Sequence, residues 1–222
     1  MKRKLFKLLI LTIIVSIFIF IVYKLNRQNK INVVMLGDRI ANNNYLINEL
    51  RKNDRLGTYN NYYIKEETIN SLNDRIKNTS NIKKDLRESK LTIISIGLND
   101  FYNSLDNNIN TKNILDLKDN ISILLPKLDK LLNEIRKYAK YDVVLIGYYN
   151  PVPFLFNTNP SELDILFMYI EGMIKDLTKK YDITYLSLYN QFKNNDYVDE
   201  KYPNMYGYEA IGKLILNHVK QN

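Results

Sequence analysis

The chain opens with one long apolar stretch and then changes to short apolar runs separated by amphipathic segments. Leu5–Tyr23 reads LFKLLILTIIVSIFIFIVY, interrupted only by Lys7. After a polar linker at Asn26–Lys30, short apolar-rich runs recur at Ile31–Leu36, Leu91–Ile96, Asp142–Gly147 and Ile183–Leu188, with an aromatic, β-prone stretch at Thr58–Ile64. Runs of this length and composition predict buried strands. Between them, Tyr45–Lys52, Thr68–Lys77, Leu117–Tyr138, Ser161–Tyr181 and Tyr206–Val219 carry helical spacing. Pro126 is expected to kink its helix and Ser161 to cap the next one. Fully apolar strands alternating with helices predict an α/β domain whose parallel sheet is covered on both faces. Residues 31–222 show no repeat and no low-complexity break, so they are expected to form one domain.

The first 30 residues form a separate unit. Leu8–Tyr23 is free of charge for 16 residues, and Leu5, Phe6 and the snorkelling Lys7 and Lys24 extend it towards the roughly 20 residues of a span. No small-residue cleavage site follows, which favours an uncleaved signal anchor with its transmembrane part at about 5–23 over a removable signal peptide. Lys2, Arg3, Lys4 and Lys7 precede the apolar run, against Lys24, Arg27 and Lys30 after it. That bias places the N-terminus inside and the C-terminal domain on the outer face of the cell membrane.

Charge and composition narrow the chemistry. The chain has 222 residues and a net charge of +8, which alone would invite a nucleic-acid partner. Seven basic residues and no acid lie in residues 1–30, and the remaining 25 basic residues face all 24 acids. The body is nearly neutral, so no nucleic-acid partner is expected. The absence of cysteine removes disulfides, thiol nucleophiles and Cys-ligated metals. His218 is the only imidazole. It is expected as an exposed residue at the end of the closing helix, where a cation suits the dipole.

Ligands of open parallel sheets bind beyond the carboxyl ends of the strands. The candidate loops are therefore Gly37-Asp38-Arg39, Gly97-Leu98-Asn99-Asp100, Gly147-Tyr148-Tyr149-Asn150 and Asp199–Gly207. In this order and spacing they resemble the SGNH (GDSL-type) hydrolases. The family's Gly-Asp-Ser appears here as Gly37-Asp38-Arg39, and its Gly-x-Asn-Asp is complete as Gly97-Leu98-Asn99-Asp100. Its Asp-x-x-His, continued as Pro-Asn-x-x-Gly-Tyr, runs from Asp199 to Tyr208 with Tyr202 in place of His. Tyr149-Asn150-Pro151 is similar to the membrane-linked bacterial branch. Anchoring Thr68 on the family's Gly-x-Thr pattern puts Glu66 where the family has an oxyanion-hole glycine. The resemblance implies a three-layer α/β/α, flavodoxin-like parallel sheet.

Ester hydrolysis needs a nucleophile, a base and oxyanion donors. Here a permanently protonated guanidinium replaces the hydroxyl. A phenol with an ordinary pKa of about 10 replaces the imidazole. Asp38, Arg39, Glu66, Asn99, Asp100, Asp199 and Tyr202 thus read as a vestigial site with no intact catalytic set. Arg39 is expected to plug it by pairing with Glu66 or Asp199; the bland alternative points Arg39 to solvent. Asp38 is expected to support its loop, and Ser95 to be a packed or hydrogen-bonded core residue. An internal ion pair is the simpler account of Asp38, Glu66, Asp100 and Asp199 than a metal site, and no metal or cofactor is expected. Tyr59, Tyr62, Tyr63, Tyr148 and Tyr149 are read as packing residues, with sugar stacking the minor alternative.

The resulting expectation is a membrane-anchored, catalytically inactive pseudohydrolase, a binding or scaffolding module at the bacterial cell envelope. Its partners beyond the membrane would be an envelope protein or a glycan or lipid ligand. The alternatives are an active esterase, lipase or acyltransferase with a non-standard site, and a purely structural envelope protein.

Overall fold

The computed structural model describes residues 12–22, 30–106, 114–149, 160–189, 191–192, 197–199 and 202–221. Helix α1 (residues 12–22) is followed by strand β1 (Ile31–Gly37), a 3-10 turn (Arg39–Asn42), α2 (Asn44–Arg51) and β2 (Leu56–Tyr63). Next come α3 (Ile69–Asn78), α4 (Ser80–Glu88), β3 (Leu91–Ser95), α5 (Leu98–Asp106), α6 (Ile114–Arg136) and β4 (Asp142–Ile146). The chain closes with α7 (Pro160–Lys180), β5 (Thr184–Leu186), the two-residue strands β6 (Val198–Asp199) and β7 (Tyr202–Pro203), and α8 (Met205–Gln221).

The five long strands form one parallel sheet in the order β2-β1-β3-β4-β5. That is the flavodoxin-like order, with its switch point between β1 and β3. Alternation along β1 explains the three layers. Val33 and Met35 pack with Leu46 and Leu50 of α2 and Ile211 and Ile215 of α8. Val34 and Leu36 pack with Ile69, Leu72, Ile82 and Leu86 of α3 and α4 and with Leu131, Ile170 and Ile174 of α6 and α7. Both faces are thus covered, as continuous apolar strands require.

Several local expectations change. α7 begins at Pro160, so Ser161 lies inside the helix instead of capping it. Proline suits that first position because the helix needs no N–H there. α6 continues through Pro126 as one helix. α4 and α5 had no predicted counterpart. α4 buries only Ile82 and Leu86, an i, i+4 pair too sparse to register as a stripe. His218 is not an exposed helix end. Its side chain is 14% exposed and its Nε2 lies 2.7 Å from Asp142 Oδ2. Asp142 opens β4, so this contact sits at the opposite end of the sheet from the candidate loops.

α1 is eleven residues of exposed side chains, among them Ile13, Phe18 and Phe20. No helix among the described residues is long and apolar enough to cross a membrane. Residues 5–11 and 23 of the expected span lie outside the described residues.

The corner between α6, α7 and β5 is held by one guanidinium. Arg136 Nε donates to the Tyr181 carbonyl at 2.7 Å, and its terminal nitrogens donate to the carbonyls of Ala139 at 3.0 Å, Tyr141 at 2.5 Å and Asp182. Asp182 itself sits at φ 51°, a turn conformation that such bonds hold in place. Arg136→Ala leaves these carbonyls without their donor. It should lower unfolding stability by about 3 kcal/mol in chemical denaturation of the full chain, and Arg136→Lys should recover only part of that loss.

Candidate functional site

The site is built where β1 and β3 end side by side. Gly37 has φ +114°, and a Cβ there would lie 1.8 Å from the Ser95 carbonyl oxygen. Only glycine allows this approach. It lets the Asp38 N–H donate to that same oxygen at 2.8 Å. The Asp38 carboxylate then turns inward. Its Oδ1 accepts from Ser95 Oγ at 2.7 Å and from Ile40 N at 3.2 Å, which caps the 3-10 turn. Asp38 is therefore the loop support expected of it, and Ser95 is a hydrogen-bonded core residue. Burial pushes the Asp38 carboxyl up to about 6, with Glu67 and Asp100 adding to the shift and the bonds from Ser95 and Ile40 opposing it.

The block after β3 ties itself to the start of α3. Asp100 Oδ2 accepts from Ile69 N at 2.8 Å, and burial raises its carboxyl against that bond. Asn99 Nδ2 donates to the Glu67 carbonyl at 3.2 Å, while its Oδ1 is buried without a partner. Thr68 Oγ1 accepts from Ser71 N at 3.3 Å and completes the N-terminus of α3.

Glu66 departs from its expected role. It lies at φ 60° in the turn before α3, the left-handed conformation in which the family's glycine would be at ease. Its carboxylate is exposed, with Lys65 Nζ at 3.8 Å. The buried acid is its neighbour. Glu67 is fully buried and accepts Arg75 Nε at 2.9 Å and a terminal Arg75 nitrogen at 2.6 Å. Arg75 also donates to the Tyr62 carbonyl at 2.6 Å. Burial raises the Glu67 carboxyl and Arg75 pulls the other way. This pair escaped sequence reasoning because Glu67 precedes the helix and Arg75 lies inside it, so no i, i+4 signal links them.

Arg39 and Tyr202 do come together. The guanidinium carbon lies 4.5 Å from the Tyr202 ring centroid, a cation–π contact. Neither Glu66 nor Asp199 comes within ion-pair distance of Arg39, about 4 Å. In place of the expected ion pair, Arg39 makes a cation–π contact with Tyr202. Burial raises the Tyr202 phenol, Arg39 opposes the shift, and Asp38 and Glu66 add to it. Asp199 is exposed and pairs with Tyr202 across β6 and β7. Beyond them, Asn204 Oδ1 accepts from Gly207 N at 3.0 Å and caps α8. A Cβ on Gly207 would lie 2.2 Å from the Tyr197 carbonyl oxygen, and Tyr208 is buried behind it. The Pro-Asn-x-x-Gly-Tyr run therefore starts a helix against a tightly packed loop.

The four acids first considered for a metal do not gather. Among the described residues no group of three or more metal-ligating side chains forms. Tyr149 is buried against Phe192, with ring centroids 5.5 Å apart, and Tyr62 donates to Asp85 at 2.5 Å. Both are packing residues. Asn150 and Pro151 lie outside the described residues. An apolar cavity of about 20 Å³ lies beside the site, lined by Gly97, Leu98, Phe101, Leu128, Tyr148 and Phe167 among others.

The raised Asp38 carboxyl has a definite sign in stability. The folded state holds its proton up to about pH 6 and the unfolded state only to about 3.8, so this group loses stability as pH rises through that window. In Asp38→Asn the amide oxygen can keep both bonds without ionising. Stability of the variant relative to the parent should rise by roughly 2–3 kcal/mol between pH 3.5 and pH 7, measured by denaturant titration at each pH.

Known proteins share this fold. The model of the GDSL-like lipase/acylhydrolase family matches residues 22–215. The lipase Lip_vut3 from a goat rumen metagenome is similar in structure, with a TM-score of 0.69 and 19% identity over 85% of this chain and 97% of that one. The extracellular lipase of Streptomyces rimosus gives 0.66 and 13%, over 84% and 99% of the two chains. A catalytic mutant of the acetylxylan esterase Axe2 of Geobacillus stearothermophilus gives 0.63 and 13%, over 84% and 93%. No curated protein sequence matches the chain. With the sheet order, the strand-end blocks and a family match over residues 22–215 in agreement, the chain belongs to the GDSL-like lipase/acylhydrolase family.

Proposed function

We propose that this family member does not hydrolyse esters and serves as a membrane-anchored binding or scaffolding module on the outer face of the cell envelope. The observation that carries the reading is the Arg39 guanidinium 4.5 Å from the Tyr202 ring, at the two positions where the family pattern has Ser and His. A guanidinium does not attack a carbonyl, and a phenol raised by burial does not take a proton at neutral pH. One N–H of the Asn99 amide, an oxyanion donor in the family pattern, is engaged with the Glu67 carbonyl. Loss of one triad member lowers such reactions by several powers of ten. The lipase and esterase named among the structural neighbours therefore lend this chain their fold, not their activity.

Support for the anchor comes from α1, whose Ile13, Ile14, Val15, Ile17, Phe18, Ile19, Phe20, Ile21 and Val22 are all exposed. Nine such side chains have no favourable place in water. A helix over residues 5–23 would be about 28 Å long, close to the hydrocarbon thickness of a bilayer.

The catalytic half of this reading is tested with the full chain against short-chain p-nitrophenyl esters and a serine-directed fluorophosphonate. Neither turnover nor labelling above background is expected; turnover lost on Asp199→Ala would contradict it. The anchoring half is tested by fractionating expressing cells. The full chain should stay with membranes through alkaline carbonate, and a chain lacking residues 1–29 should not. Release of the full chain by carbonate would refute anchoring.

A further inference from the structure

The two ends of the parallel sheet differ in charge. At the exit end, where the strands run into the candidate loops, the exposed charges are mixed: Arg39 and Lys65 stand with Glu66 and Asp199. At the entry end the exposed bases line up. Lys30 directly precedes β1, Arg55 directly precedes β2, Lys90 directly precedes β3, and Lys140 stands just before β4; all four are exposed. The backbone sets them in a row. Ile31 N donates to the Arg55 carbonyl at 2.7 Å, Lys90 N donates to the Asn32 carbonyl at 3.0 Å, and Leu91 is in register with Asp142. Neighbouring strands lie about 4.8 Å apart, so the row crosses β2-β1-β3-β4 in about 15 Å.

Neither helix dipoles nor ion pairs account for these bases. α2, α4 and α6 end at Arg51, Glu88 and Arg136, so the four lie beyond the last helical turns, where a base would answer the dipole. No carboxylate stands within ion-pair distance of any of them among the described residues. Asp54 and Glu88 are the exposed acids beside them, and Asp182, before β5, lies 3.4 Å from Arg136. Tyr141 stands in the same row, 56% exposed, with its carbonyl held by Arg136. Tyrosine beside lysine suits a membrane–water interface, where its apolar ring and its polar tip each find a place.

This end is also where the chain arrives from its N-terminal helix. With a span at about 5–23, residues 24–29 join it to Lys30, a tether of about 25 Å at full stretch. β1 rises about 20 Å from its entry to its exit. The entry end is therefore the one tied to the bilayer. The field of an anionic surface fades within about 8 Å in physiological salt, and each Lys or Arg held inside that layer favours it about fivefold.

From the row of cations, the exposed tyrosine among them and the short tether, we propose that the entry end of the sheet docks on anionic phospholipid headgroups of the anchoring bilayer. The domain then stands with Arg39, Tyr202 and the candidate loops turned away from the membrane. The proposal rests on the anchored reading above, which brings the row to the surface, and goes beyond it in fixing which end of the domain meets the lipid.

The chain has no cysteine, so a single introduced one carries a fluorophore cleanly. Asn217→Cys and Tyr206→Cys replace exposed residues near the two ends of α8, about 16 Å apart along the helix. His218 beside Asn217 meets Asp142 at the start of β4, which puts position 217 at the entry end. Each labelled full chain is placed in nanodiscs of phosphatidylcholine alone or with about 30% phosphatidylglycerol, and quenching by headgroup-spin-labelled lipid is measured. With phosphatidylglycerol, position 217 should be quenched at least about threefold more than position 206. That ratio should fall by about half or more in phosphatidylcholine discs, in about 0.5 M NaCl, and in the double variant Lys90→Glu, Lys140→Glu. The lipid and salt comparisons keep the parent charges, so they judge the docking even where charge reversal disturbs folding. Equal quenching at the two positions, or a ratio indifferent to phosphatidylglycerol and salt, would overturn the docking and leave the anchor standing. A full chain that does not co-purify with the discs would refute the anchor itself, and the docking with it.

Discussion

The close approach of β1 and β3 at their carboxyl ends sets the rest of the site. Because Gly37 has no Cβ, the Asp38 amide reaches the Ser95 carbonyl and the Asp38 carboxylate reaches the Ser95 hydroxyl. One buried acid thereby fixes the exit of β1, the end of β3 and the 3-10 turn that carries Arg39. The energetic side of this arrangement is visible in the carboxyl itself, which is pushed up to about 6 because two hydrogen bonds do not offset its loss of water. The loop is held by a buried carboxyl, and Arg39 leaves it to lie, exposed, against the Tyr202 ring.

A second layer of buried charge fixes the other wall. Glu67 and Arg75 form a bidentate pair that also holds the Tyr62 carbonyl, linking the end of β2 to α3. A buried pair of this kind is a weak source of net stability, but removing either partner strands the other. Its position matters more than its energy. It presents the Glu67 carbonyl to Asn99 and the Ile69 amide to Asp100, so the loop after β3 is tied to the loop after β2 through two motif side chains.

Much of the fold was legible because burial on both faces leaves an unmistakable mark. The runs at Ile31–Leu36, Leu91–Ile96 and Asp142–Gly147 each became a strand within a residue or two, and their sequential order with helices between them fixed the parallel sheet. What escaped was whatever depends on long-range partners. α4 offers only two buried apolar residues, Glu67 finds its cation eight positions away, and His218 finds Asp142 across 76 residues. The expected salt bridge of Arg39 failed for a related reason. Sequence placed opposite charges in one neighbourhood, but Glu66 lies in a turn that points its carboxylate to solvent beside Lys65, and the nearest face left for Arg39 is aromatic.

The division between what this chain shares with the family pattern and what it lacks follows structural duty. Asp38, Asn99 and Asp100 match the pattern, and each has a partner in the fold: Ser95 and Ile40, the Glu67 carbonyl, and the Ile69 amide. Asn204, Gly207 and Tyr208 match it as well, and they start and bury α8. Arg39 and Tyr202 depart from it, and their side chains meet each other in a cation–π contact. Matching acids and amides at the strand ends are therefore no argument for chemistry, because the sheet would require them in an inert protein too. At the two positions where the family pattern has its nucleophile and its base, this chain lays a fixed positive charge on an aromatic ring.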